Sequence, residues 1–161
     1  MIRKATFDDL DRIMEIYAYA QQFMSDHGNP NQWKRTHPAR ELIVQDIEEG
    51  VCNLLCDGEH IYGVFFYRCA VDPTYDYIED GEWLNDKKYG VIHRIASDGT
   101  HRRVLEAAVE YGLLQCKNLR MDTHHDNIVM QNALVKNGFK RCGIIYLEDG
   151  NPRIAYHLIG K

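Results

Sequence analysis

The chain has 161 residues, of which 45% are hydrophobic and 27% charged, and these values exclude a disordered, collagen-like or low-complexity protein. No apolar run approaches the roughly 20 residues that cross a bilayer, and acidic residues follow Arg3 and Lys4 at once, so we expect neither a membrane partner nor a signal peptide. The formal net charge of −5 argues against a nucleic-acid partner bound on a broad basic surface.

The cysteines predict the compartment of the protein. Their number is odd and no two have the spacing of a zinc knuckle, so we expect most of them to be small buried apolar side chains rather than disulfides or metal ligands. This usage is typical of a reducing, cytoplasmic environment. The five are Cys52, Cys56, Cys69, Cys116 and Cys142.

Apolar spacing and turn residues predict about seven strands and about four helices. Leu10, Ile13 and Tyr17 recur at helical spacing ahead of the breaker cluster His27-Gly28-Asn29-Pro30. Asp57-Gly58 between two apolar runs indicates a hairpin. In chain order we predict a strand over 2–5, helices over 6–26 and 38–49, strands over 51–56 and 61–71, a polar excursion over 72–88, a strand over 89–97, a helix over 100–116, a strand over 119–123, a helix capped by Asp126 and ended by Gly138, and strands over 139–147 and 153–159.

This element order predicts an α+β fold with a mixed sheet. The strand–helix–strand unit over residues 89–123 implies a parallel, right-handed crossover, whereas the hairpins imply antiparallel pairs. The run over 61–71 is apolar on both faces, which is typical of a central strand. We therefore expect one domain over residues 1–161, with a central sheet flanked by helices.

Several local motifs resemble the GNAT-type N-acetyltransferase superfamily. Asp126-Asn127 opens a helix, Asn137-Gly138-Phe139 closes it, and a strand then runs through residues 142–146. Earlier in the chain, His93-Arg94-Ile95-Ala96-Ser97 is similar to the superfamily strand that pairs with the acyl-CoA arm. The resemblance covers nearly the whole chain, and the joint order of the motifs is more specific than any one of them.

The resemblance implies transfer of an acetyl group from acetyl-CoA, without a metal, to a primary amine of a small or peptidic acceptor by direct attack. In the superfamily the pantetheine lies where two parallel strands splay apart, here residues 89–97 and 119–123. The pyrophosphate lies on the N-terminus of the next helix, where free N–H groups and the helix dipole attract anions. Carried over, the coenzyme residues are Ile95, Ala96 and Ser97 for pantetheine, Thr100, His101, Arg102, Arg103 and Val104 for pyrophosphate, and Asn127 and Met130 near the thioester end.

The chain departs from the superfamily pattern in two places. The phosphate loop usually reads Arg/Gln-x-x-Gly-x-Gly, but here Arg103 and Leu105 occupy the glycine positions. The tyrosine that often protonates the departing thiolate is replaced by Leu134. The alternative is therefore a catalytically silent module on the same fold that binds acyl-CoA or another protein. Arg102 and Arg103 are also compatible with a solvated helix face, and Asn127 with a plain helix cap.

Three residues are candidates for proton transfer. His93 alternates with Val91 and Ile95, so we place it on their face of the strand as a general base; a satisfied buried histidine is the other interpretation. Glu82, acting through water, is a second candidate base. Tyr146, with an ordinary pKa of about 10, is the candidate acid for the thiolate.

The acceptor site is predicted from a loop and an acidic segment. Trp33 stands in a polar loop, where we expect it to be exposed and to contact the acceptor, with a core-covering role as the alternative. Residues 72–86, here called the acidic segment, contain six carboxylates and no Lys or Arg, which either attract a cationic amine or form an ordinary solvated loop. Glu79 and Glu82 are its candidate acceptor ligands.

We expect no metal site. His124 and His125 stand beside Asp126, but continued strand alternation would send the two rings to opposite faces. The sequence does not set the oligomeric state, and a homodimer is the assembly we consider.

Overall fold

The computed structural model describes all of residues 1–161 and contains the predicted elements in the predicted order. Single 3-10 turns at Phe7–Asp9 and Pro73–Tyr75 are added to them. None of the helices is long and apolar enough to span a bilayer. The elements are β1 (Ile2–Lys4), α1 (Leu10–Asp26), α2 (Arg40–Glu48), β2 (Cys52–Asp57), β3 (His60–Arg68), β4 (Gly90–Ser97), α3 (Val104–Gln115), β5 (Asn118–Thr123), α4 (Ile128–Lys136), β6 (Lys140–Tyr146) and β7 (Pro152–Ile159).

The seven strands form one mixed sheet in the order β1-β2-β3-β4-β5-β7-β6. β4 pairs with β5 in parallel, with Gly90 opposite Leu119, as the predicted crossover through α3 requires. The pairs β1–β2, β2–β3, β5–β7 and β6–β7 are antiparallel. The mixed-sheet fold class and the interior position of β3 are thereby confirmed.

The residues group into two compact units, Met1–Tyr67 with His93–Val104, and Arg68–Ile92 with Leu105–Lys161. The core of the first unit is built on the apolar stripe of α1. Ile13, Ile16 and Tyr17 are buried there in one cluster with Ile43 of α2 and Leu54 of β2. The helical spacing seen in the sequence therefore marks the buried face of α1.

Trp33 belongs to this core, which corrects the expectation that it is exposed. Its side chain is 7% exposed, and its ring meets that of Tyr17 edge-on with the centroids 5.6 Å apart. The polar residues around Trp33 cover the outside of the loop while the indole fills space against α1. Local polarity therefore does not report the burial of one large aromatic side chain.

In the second unit, the acidic segment is attached to β6. Glu79 and Ile144 exchange backbone hydrogen bonds of 3.0 and 2.9 Å. Gly143 permits this approach, because a Cβ at that position would lie 2.6 Å from the carbonyl oxygen of Glu79. The nearby core contains Tyr75, which is fully buried. The acidic segment is thus an ordered part of the fold.

Several element boundaries differ from the prediction by a few residues, and three of these differences bear on the candidate site. β3 ends at Arg68, ahead of the acidic segment, and α3 begins at Val104 instead of Thr100. Arg103 has a φ of +61°, which an α-helix cannot contain, so the helix starts after it. The cap of α4 is Asn127 rather than Asp126, since Oδ1 of Asn127 accepts from the Met130 N–H at 3.0 Å.

Candidate active site

The first unit contains the loop between β4 and α3, residues 98–103, here called the phosphate loop. Asp98 organises it. Its Oδ1 accepts from the backbone N–H and the hydroxyl of Thr100, at 3.0 and 2.6 Å. Its Oδ2 pairs with the Arg12 guanidinium at 2.6 Å and with His60 Nε2 at 2.8 Å. Burial acts to raise the pKa of Asp98, but hydrogen bonds from Thr100 and His60 outweigh it and lower that pKa to about 2.

Arg103 is the last residue before α3 and takes the left-handed conformation. Its φ of +61° lies in the region that side chains with a Cβ rarely adopt. It stands where the superfamily pattern has its first glycine. Arg102 and Arg103 are exposed in the loop, and Val104 is the first residue of the helix. Leu105, at the second glycine position, is buried.

His101 is held against β3 and β2. Its ring stacks on Tyr62 with the centroids 3.8 Å apart, and its Nε2 lies 3.1 Å from Asp57 Oδ2. Its Nδ1 lies 2.8 Å from the Thr100 hydroxyl. Both ring nitrogens are thus engaged by protein groups, and the side chain is half-buried.

β4 contains a second left-handed residue, Arg94, which sequence reasoning missed. Its φ is +49° within an otherwise extended strand. Its carbonyl accepts from the Tyr17 hydroxyl at 2.7 Å, and its guanidinium donates to both oxygens of Asp46, at 3.0 and 2.9 Å. Tyr17 and Asp46 lie 77 and 48 residues away in the chain, so no local pattern indicates either contact.

His93 precedes this turn of the backbone and is half-buried. Its ring lies beside that of Phe66, with the centroids 5.4 Å apart. The prediction that His93 and Ile95 lie on the same face assumed regular alternation along β4. Arg94 lies between them in a left-handed conformation, which interrupts the regular pleat. Its role as a base stays a prediction that rests on its place in β4.

In the second unit, the coenzyme candidates Asn127 and Met130 are joined by the cap hydrogen bond of α4. Asn127 is buried at the first turn of this helix. Four residues earlier, at the end of β5, the Thr123 hydroxyl is buried and has no hydrogen-bond partner. A buried hydroxyl of this kind is uncommon in a folded protein and calls for an explanation, such as a ligand or an ordered water.

His124, His125 and Asp126 come together, although strand alternation predicted that the two rings lie apart. Their possible ligand atoms lie within 4.8 Å of one another, and the rings stack with the centroids 4.2 Å apart. The prediction fails because β5 ends at Thr123 and the chain turns there. Nδ1 of His124 already accepts from the Asp126 N–H at 3.0 Å. Burial, with Arg153 and His125, lowers the pKa of His124.

The acidic segment brings Glu79 and Tyr146 together. The Tyr146 hydroxyl donates to Glu79 Oε1, and the Tyr77 hydroxyl donates to Oε2 at 3.0 Å. The bond to Glu79 raises the pKa of both phenols. Tyr146 is therefore protonated at neutral pH, as a general acid must be, but its proton is directed at a carboxylate.

Two further sequence candidates are now located. Glu82 is exposed in the acidic segment. Leu134, at the usual position of the superfamily tyrosine, is fully buried on α4. This position therefore offers no hydroxyl.

Comparisons with known proteins agree with this architecture. No family model and no curated protein matches the chain. Among solved structures, a GNAT-family acetyltransferase from Streptococcus agalactiae 2603 is 30% identical over 100% of this chain and 95% of its own, with a TM-score of 0.87. A GNAT-family acetyltransferase from Listeria monocytogenes 4b F2365 is 19% identical over 99% and 94%, with a TM-score of 0.71. A ribosomal-protein-alanine N-acetyltransferase from Brucella melitensis is 16% identical over 99% of both chains, with a TM-score of 0.65.

The similarity to the Listeria monocytogenes and Brucella melitensis proteins shows a shared fold. The first relationship extends over the full chain at 30% identity and therefore shows more than the fold. The chain belongs to the GNAT family of acetyltransferases.

Proposed function

We propose that the protein transfers an acetyl group from acetyl-CoA to a primary amine by direct attack. The observation that carries the proposal is the passage from β4 into α3. Arg103 stands in the left-handed conformation just before the helix, at the glycine position of the family's phosphate loop. This supports retention of the loop's backbone path although the glycine is lost. The first N–H groups of an α-helix lack partners inside the helix and are suited to a pyrophosphate.

The coenzyme contacts follow the chain from β4 onward. Ile95, Ala96 and Ser97 would bind the pantetheine arm through the backbone. Thr100, His101 and Val104 would surround the pyrophosphate, with Arg102 and Arg103 adding charge. A charged contact of this kind contributes about 1.5–3 kcal/mol.

In the second unit, Asn127 and Met130 are the proposed contacts near the thioester end. The Thr123 hydroxyl joins them as a candidate, because it is buried without a partner and lies on the same turn of chain. A hydrogen-bonding ligand would satisfy that hydroxyl.

The reaction requires the amine nitrogen to lose two protons and the leaving thiolate to gain one. The ammonium loses a proton to His93, or to Glu82 through water, and the amine nitrogen then bonds to the thioester carbon. A backbone N–H of β4 stabilises the oxyanion of the resulting tetrahedral intermediate. The C=O double bond then re-forms, the C–S bond breaks, and the amide nitrogen releases its second proton to water. Tyr146 is the proposed donor of the proton that the leaving thiolate takes up.

The acceptor is a small or peptidic amine that the acidic segment attracts as a cation. Glu79 and Glu82 are the proposed ligands of its positive charge. If they act in this way, neutralising both with Gln raises the acceptor's KM, and more strongly at low salt, since salt screens exposed charges. Glu59→Gln, on the exposed hairpin, is the matched control.

A second candidate function is a silent acyl-CoA-binding or protein-interaction module. It is favoured by the burial of Leu134 at the position of the usual acid and by the side chain on Arg103. Fold alone does not establish catalysis. The two functions differ in thiol release, because a silent module binds acetyl-CoA without releasing CoA.

Calorimetry with CoA tests the coenzyme assignment. Arg102→Ala with Arg103→Ala should weaken CoA binding at least about tenfold, while the affinity for a pantetheine fragment without pyrophosphate changes less. Bound CoA should protect the amides of residues 95–97 from hydrogen exchange. Equal CoA affinity in the parent and the double variant, or unprotected amides at saturation, would refute the assignment.

A further inference from the structure

The left-handed residue Arg94 is held by contacts within the first unit. A non-glycine residue keeps such a conformation only where its surroundings enforce it, and such residues are concentrated at functional sites. Arg94 lies in β4 between His93 and Ile95, the residues that the proposed function gives to the base and to the pantetheine. What enforces its conformation therefore bears on the reaction.

Tyr17 holds the backbone of Arg94 from α1. Its hydroxyl donates to the Arg94 carbonyl oxygen at 2.7 Å, and the side chain is 1% exposed. Trp33 packs edge-on against the Tyr17 ring and restricts its movement. The Arg94 carbonyl therefore has a hydrogen-bond partner inside the protein whose position is fixed by packing.

Asp46 holds the side chain of Arg94 from α2. The two form a bidentate pair of 3.0 and 2.9 Å, and Asp46 is 3% exposed. The guanidinium also lies 4.6 Å from the centre of the Phe66 ring. A buried carboxylate of this kind is retained only with a good partner, so the pair fixes Arg94 in one orientation.

We propose that Tyr17 and Asp46 are positioning residues for acetyl transfer, which set the direction of the β4 backbone at Arg94 and Ile95. The inference rests on the proposed function, since that backbone is the proposed oxyanion and pantetheine contact. Neither residue touches the substrate. Both act through the left-handed conformation of Arg94. This conformation interrupts the pleat of β4 and so changes the direction of the backbone N–H and C=O groups that follow it.

The test compares Tyr17→Phe and Asp46→Asn with Asp9→Asn. Asp9 forms a bidentate pair with Arg3 at 2.8 and 2.9 Å in the same unit, so its variant loses a similar ion pair that is not connected to Arg94. We expect kcat for thiol release to fall roughly tenfold in Tyr17→Phe and Asp46→Asn, with the KM for acetyl-CoA within about twofold. Asp9→Asn should lose stability and keep kcat.

Two results would overturn the inference. One is an unchanged kcat in folded Tyr17→Phe and Asp46→Asn. The other is a loss of kcat in all three variants that follows only their loss of stability. If the parent releases no CoA with any amine, the proposed function has failed, and the amide chemical shift of Ile95 decides the inference instead. A shift displaced in Tyr17→Phe and Asp46→Asn but not in Asp9→Asn supports it, and unchanged shifts refute it.

Discussion

The backbone N–H of Leu84 donates to Nδ1 of His157 at 3.1 Å, and this bond attaches the acidic segment to β7. Because Nδ1 accepts, the ring proton lies on Nε2, which donates to Asn118 Oδ1 at 2.6 Å. The ring is fully buried. Burial, with the nearby charge of Arg120, lowers the pKa of His157 from 6.5 to about 4.

This pKa predicts a loss of stability in acid. The folded value lies below the ordinary one, so the contribution of His157 is fully present above pH 6.5 and is lost as the pH falls towards 4. The loss amounts to about 3 kcal/mol in the free energy of unfolding. Urea unfolding across this range measures it. His157→Gln should remove this part of the pH dependence and exposed His27→Gln should not; the same pH dependence in all three proteins would contradict the assignment.

The two departures from the phosphate-loop pattern should respond in opposite directions to glycine. Arg103→Gly relieves a left-handed conformation and should raise the free energy of unfolding by up to about 1 kcal/mol, after the entropy cost of glycine. Leu105→Gly removes a buried side chain within a helix and should lower it by about 3–6 kcal/mol. Urea unfolding of each variant checks both signs. A destabilised Arg103→Gly would show that contacts of the arginine outweigh the strain.

Local features of this fold can be predicted from the sequence, whereas contacts between distant residues cannot. The stripe of α1 and the order of strands and helices follow from local spacing, and local spacing predicts them well. The pair Asp46–Arg94 joins residues 48 apart, and no short pattern connects them. Pattern matching also locates Arg103 at a glycine position, but whether the backbone stays left-handed there is decided by the fold around it.

Trp33→Ala should destabilise the protein rather than alter only acceptor binding. The indole is buried against Tyr17, so its removal should lower the free energy of unfolding by about 3–5 kcal/mol. Because Tyr17 bonds to Arg94, kcat/KM should fall for acetyl-CoA and for the acceptor alike. Unfolding curves and both kcat/KM values test this. Unchanged stability with a raised KM for the acceptor alone would instead favour direct contact of Trp33 with the acceptor.

Glu79→Gln should lower the pKa of Tyr77 and Tyr146, since the bond to Glu79 is the largest cause of each raised value. Ultraviolet difference titration of the parent against the variant measures tyrosinate formation. Ionisation of two phenols should move to lower pH. Tyr146→Phe with Glu79→Gln should leave only the shift that belongs to Tyr77. If the pKa values of Tyr77 and Tyr146 are unchanged in Glu79→Gln, the two phenols do not donate hydrogen bonds to this carboxylate.

Acetyl transfer is measured most directly as CoA-thiol release from acetyl-CoA in the presence of a panel of primary amines, with the mass of each acceptor followed in parallel. We expect release above the uncatalysed rate with at least one cationic amine, and one acetyl group gained by that acceptor for each thiol released. If acetyl-CoA binds saturably but no amine in the panel causes it to release CoA thiol, catalysis is contradicted and the silent module is favoured.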